Sequence, residues 1–107
     1  MNNPYRGGTA DYWYSGNKAD LWIEYKWLNK IPKKTINLST GDKPSLSALQ
    51  QKWLSERDKE GRNVAVVVGF PEGVIILQNK MWLSDLNFII IMSRNELASW
   101  ILNQTIK

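Results

Sequence analysis

The chain has no cysteine and no histidine among its 107 residues. Without them there are no disulfides, thiolate nucleophiles, Ser–His triads or the usual zinc sites. Any chemistry here must come from carboxylates, Lys, Tyr, hydroxyls and a hard, oxygen-seeking cation. Long apolar runs are missing too. No stretch approaches the roughly 18 residues needed to span a bilayer, and MNNPYRGG lacks the apolar segment of a signal peptide. These absences predict a cytoplasmic protein, and the length predicts one domain over 1–107. With 43% apolar and 22% charged residues, the chain has the composition of an ordinary globular domain.

Charge and aromatics are unevenly placed. Between Tyr25 and Lys43 stand Lys26, Lys30, Lys33, Lys34 and Lys43 against Asp42 alone, so this stretch carries +4, the net charge of the whole chain. A cationic segment of this kind suggests a polyanionic partner, although solvated Lys-rich loops are common. Trp is abundant, with six residues, and Trp13, Trp22 and Trp27 fall in the same neighbourhood.

Two β-prone runs bracket Gly16-Asn17, which predicts a hairpin of residues 9–15 and 21–28. The following stretch, NKIPKKTINLSTGDKP, reads as a long loop, and such loops in small domains tend to be functional. A helix is expected from Ser45, with Leu46, Leu49 and Trp53 on its inner face and Gly61 ending it. NVAVVVGF suits a strand buried on both faces. GVIIL follows a turn as another strand, and NFIIIM suggests one more. Ser93 and Glu96 form a capping box before a helix over ELASWILNQ. The order β-β-α-β-β-β-α predicts an α/β fold, a mixed central sheet with flanking helices.

The segment DLWIEYKW alternates so that Glu24 and Lys26 share one face and Ile23, Tyr25 and Trp27 the other. With the turn centred on Asn17-Lys18, any loop of even length places Asp11 directly opposite Glu24. Like charges so opposed destabilise a sheet and call for a cation. Mg²⁺ suits two facing carboxylates plus water and phosphate oxygens. Lys26 would then lie where it can assist a water or stabilise charge on a phosphate. Asp20, about 13 Å along the strand from Glu24, is a turn residue and not a ligand. The bland alternative is a solvated strand face with a cross-strand ion pair, the usual fate of a lone E-x-K.

The pattern GTAD, a short turn, IEYK, a variable loop and LSALQQKWL resembles the PD-(D/E)xK nuclease superfamily, over residues 7–77. Within it the chain is similar to the VRR-NUC branch, the virus-type replication-repair nucleases related to Holliday-junction resolvases, and to their stand-alone phage type. The resemblance implies a restriction-endonuclease-like core and Mg²⁺-dependent hydrolysis of phosphodiester bonds in DNA, with Mn²⁺ as a substitute. It also implies branched, flap or junction substrates in repair or recombination. Asp11 matches the first metal-binding Asp, with Ala10 where Pro is usual. Glu24 and Lys26 match the (D/E)xK element, and the main-chain carbonyl of Tyr25 the next ligand. Gln50 matches the Gln opening Q-x-x-W-L, with a role at the metal-bound water or a phosphate; Gln51 is its natural control. DNA contacts are expected from Lys30, Lys33, Lys34 and Lys43. One departure concerns the ten residues before Asp11, where the superfamily usually has a helix, often with a further Glu, and a strand. NFIIIM with the last helix, or a second subunit, are candidates to replace them, and Glu96 is expected to be a cap. A two-fold junction would require a homodimer, for which FIIIM and Trp82 offer apolar surface. Two other readings stay open: a nucleic-acid-binding module without catalysis, and a structural dimeric phage protein.

Overall fold

A computed structural model describes residues 10–30, 35, 37–41, 44–86 and 91–107. Strand β1 (Tyr12–Ser15) and strand β2 (Asp20–Trp27) form the expected hairpin across a four-residue loop. The pairs are Tyr12–Ile23, Trp13–Trp22, Tyr14–Leu21 and Ser15–Asp20, in the register that the even loop length dictates. The strand starts later than expected: Ala10 and Asp11 are described but unpaired, and Thr9 lies outside the described residues.

Helix α1 (Ala48–Lys59) connects β2 to the parallel strand β3 (Val64–Phe70), and β4 (Gly73–Leu77) returns antiparallel beside β3. The sheet order is β1-β2-β3-β4. Helix α2 (Arg94–Thr105) closes the chain. β3 is central, and Val64 through Val68 are buried on both faces, each Val contributing roughly 1.5–3 kcal/mol relative to exposure. Val64, Val66 and Val68 pack with Leu38, Leu46, Leu54 and Trp82 on the α1 face. Leu21, Ile23 and Val67 pack with Leu97, Trp100 and Ile101 of α2 on the other. The result is a mixed sheet with a helix on each side.

Two expectations about α1 and the surface are corrected. The helix begins after Ser47, not at Ser45, because Ser47 and Gln50 form a capping box: Ser47 Oγ accepts from the Gln50 N–H and Gln50 Oε1 accepts from the Ser47 N–H. That phase leaves Leu46 buried ahead of the helix, sends Leu54 inward and exposes Leu49. Trp82 is fully buried in a 3₁₀ turn (Met81–Leu83), packed against the α1-face core, so it offers no surface to a second subunit. The expected strand over NFIIIM lies mostly outside the described residues. Its last residue, Met92, bridges Val74 through a reciprocal pair of backbone hydrogen bonds of 2.8 Å.

The capping box of Ser93 and Glu96 is formed as expected. At the other end of α2, the hairpin turn supplies donors: the N–H of Lys18 reaches the Thr105 carbonyl at 2.8 Å, and Lys18 Nζ reaches that of Asn103 at 2.9 Å, satisfying otherwise unpaired carbonyls. Gly16 permits this approach, since a Cβ there would collide with the Thr105 carbonyl. Gly61, with φ of +82°, follows the C-cap of α1 in the left-handed conformation.

Candidate active site

The site is built on the hairpin edge where β1 gives out. Along β2 the N–H groups of Trp22 and Leu28 donate toward β3. Alternation therefore turns the backbone groups of Tyr25 to the opposite, β1 side. The ladder with β1 stops at Tyr12–Ile23, so among the described residues no strand pair covers Tyr25 there, although β3 continues alongside as far as Trp27. The carboxyl of Asp11, one residue before β1, comes within hydrogen-bonding reach of Glu24. Both carboxyls and the Tyr25 carbonyl thus belong to one corner of the hairpin.

Glu24 is 2% exposed, which rejects the solvated-face alternative. Its ionisation is pushed up from 4.5 to about 8, first by burial and then by the hydrogen bond and charge of Asp11, with Lys26 pulling the other way. Glu24 Oε2 lies 3.7 Å from Lys26 Nζ. Glu24 Oε1 is buried with no hydrogen-bond partner. A proton shared with Asp11 would satisfy it, and so would a cation.

Lys26 reaches across to α1, donating from Nζ to Gln50 Oε1 at 3.2 Å. That oxygen also closes the capping box, so the start of the helix is tied to β2. Gln51 behaves differently: its Nε2 donates to the Ser39 and Leu46 carbonyls and holds the loop before α1. Of the two glutamines, only Gln50 joins the site. The sequence already carried the S-x-x-Q signal for this geometry at Ser47 to Gln50.

The remaining expected residues fall elsewhere. Lys30 is exposed just beyond β2, and Lys33, Lys34 and Lys43 lie outside the described residues. Asp20 pairs with Ser15 at the far end of the hairpin. Glu96 is engaged at its own cap. Among the described residues no group of three or more Asp or Glu gathers, so a third carboxylate ligand is not found there. None of the described helices is long and apolar enough to cross a membrane. Of the three tryptophans crowded in the sequence, Trp13 and Trp22 form a row beside the polar cluster, joined by Trp53 of α1, while Trp27 is exposed on the opposite face of β2. The chain matches no family model, no curated protein and no solved structure.

Proposed function

We propose that the protein is a metal-dependent endonuclease hydrolysing phosphodiester bonds in DNA, built on a restriction-endonuclease-like core of the PD-(D/E)xK type. The observation that carries this reading is the buried Glu24, with one oxygen unpartnered and Asp11 beside it. A buried carboxylate beside a second one is costly to ionise even with Lys26 at 3.7 Å, and a divalent cation is the ligand that suits oxygen donors so arranged. The hairpin followed by a β2-α1-β3 crossover agrees with the resemblance of the Asp11, Glu24 and Lys26 motifs.

In this reading Asp11, Glu24 and the Tyr25 carbonyl hold Mg²⁺, or Mn²⁺ in its place. Such an ion lowers the pKa of a water and offsets charge on the phosphate. Glu24 must shed its proton to bind, and Lys26 favours that. The Lys26 ammonium donates to the phosphate and stabilises the charge that builds as the bond to the leaving oxygen breaks. Gln50 orients Lys26 through a neutral oxygen, so the ammonium keeps its positive charge for the substrate. The segment carrying Lys30, Lys33, Lys34 and Lys43 supplies further phosphate contacts.

The test is cleavage of labelled linear, flapped and four-way DNA with Mg²⁺, Mn²⁺ or EDTA. Cutting should need the cation, and Asp11→Asn, Glu24→Gln or Lys26→Ala should each lower it by about 100-fold or more while DNA binding persists. Full activity in any one variant refutes the assignment. Binding without cutting under all conditions points instead to a non-catalytic nucleic-acid module.

A further inference from the structure

On the α1 face of the hairpin, the pair next to Asp11 and Glu24 is Trp13 opposite Trp22. Their rings stack with centroids 5.8 Å apart and planes at 26°. Trp22 in turn meets Trp53 edge-on at 5.4 Å, and the Arg57 guanidinium sits 5.5 Å from the Trp53 ring centre. Trp53 lies one turn along α1 from Gln50, the residue that receives Lys26. The aromatic row and the polar cluster are therefore carried by the same hairpin and the same helix, and two residues of strand separate them by about 6.7 Å. Trp22 and Trp53 are partly buried, whereas Trp13 is 55% exposed at the sheet edge.

We propose that Trp13, backed by Trp22 and Trp53, is a stacking platform for an unpaired base adjoining the phosphate that Lys26 contacts beside Asp11 and Glu24. The inference rests on the nuclease reading and names its substrate: DNA that is single-stranded next to the bond cut. Every base has a π-face, so an exposed indole accepts any of them. Bases inside a duplex are already stacked on each other and offer no free face, so the platform selects unpaired strands. The net charge of +4 suits the phosphates on either side, whereas Arg57, paired with Glu60 at 3.0 Å, serves to hold the Trp53 ring. If Trp13 serves only as a cross-strand partner of Trp22, its exposed face is idle.

Binding in EDTA separates the two, because no cleavage is then required. Fluorescence anisotropy with a labelled oligothymidylate and with a blunt duplex of equal length should show tighter binding of the single strand. Trp13→Ala should weaken single-strand binding about tenfold or more, as expected for one stacked base, and leave duplex binding unchanged. Trp13→Leu, which keeps apolar bulk in the hairpin but has no ring, should lose as much, while Trp13→Phe should retain most of the affinity. Unchanged single-strand binding in Trp13→Leu, or an equal loss for both DNAs, overturns the platform. If wild type cuts no DNA under any metal but Trp13-dependent single-strand binding persists, the nuclease reading falls and the platform stands. If cleavage holds and Trp13→Leu binds as wild type does, the platform alone falls.

Discussion

Both helices of this protein begin with the same device, a Ser whose hydroxyl accepts from the N3 backbone and an N3 side chain that reaches back to the Ser N–H, yet the two boxes differ in what else they touch. At Ser47 the N3 residue is Gln50, and its oxygen also accepts from Lys26 on β2. At Ser93 the N3 residue is Glu96, which is exposed and engaged at its own cap. The faces beneath follow suit. Under α2 the sheet presents Leu21, Ile23 and Val67, with the Tyr14 and Tyr25 hydroxyls satisfying each other at 2.8 Å. Under α1 the same strand presents a buried carboxylate with an unsatisfied oxygen. A self-satisfied polar pair needs no ligand, whereas an unsatisfied one has a standing demand for a proton or a cation.

The largest effect that distinguishes the faces should be on pH dependence without metal. Glu24 ionises near 8 in the fold instead of near 4.5, so the folded state binds more protons than the unfolded state between these values. Stability from this group is therefore greatest below about pH 4.5, falls as the pH rises, and reaches its low plateau above about 8. In EDTA, the Tm of wild type should drop between pH 6 and 9 relative to Glu24→Gln, which lacks the titrating group. Tyr25 is pushed above its ordinary range by burial and by Tyr14, out of this window, so Tyr25→Phe should keep the wild-type slope. Parallel curves for wild type and Glu24→Gln would show that the carboxylate feels no special environment.

Next in size is the response to a cation. Mg²⁺ at ten times its Kd should stabilise wild type by about 1.4 kcal/mol, because only the folded hairpin brings the ligands together. At about 4–8 °C per kcal/mol for a domain of this size, scanning fluorimetry resolves the shift. Asp11→Asn should gain much less. The effect should grow from pH 6 to 8.5, since binding expels the proton from Glu24. Equal shifts in wild type and Asp11→Asn would remove the pair from the binding site.

How much of this was legible in advance follows from range. The hairpin register was, because an even loop fixes the pairing from Tyr12–Ile23 to Ser15–Asp20 whatever the turn type, and Asp11 stands one residue beyond that ladder. The double burial of β3 was legible in its unbroken apolar run. The burial of Glu24 was not, since alternation says only which face a side chain takes, and it is α1 and Leu38 and Leu46 beneath it that close the α1 face. The start of α1 is ambiguous in the sequence because Ser45 and Ser47 both suit an N-cap; the Gln three residues after Ser47 decides it. Trp82 looked like surface because its neighbours Met81 and Leu83 sit in a short polar-flanked turn, and only tertiary packing carries it inward.

The smallest effect tests the difference between the boxes themselves. Gln50→Glu keeps an oxygen for the Ser47 N–H, and an acidic group near a helix N-terminus is favourable, so the cap should survive and the Tm should change by no more than about 1 kcal/mol equivalent. The added carboxylate would pair with Lys26, however, and hold its ammonium away from a phosphate. It would also bring a third negative charge toward Asp11 and Glu24. Cleavage should fall about tenfold, while Glu96→Gln, the mirror exchange on the other face, should leave it unchanged. If Gln50→Glu cuts DNA as well as wild type, then the neutral oxygen at N3 matters only for capping, and the link from α1 to Lys26 is structural. If both exchanges slow cleavage alike, the effect comes from helix stability and not from the charge placed beside Lys26.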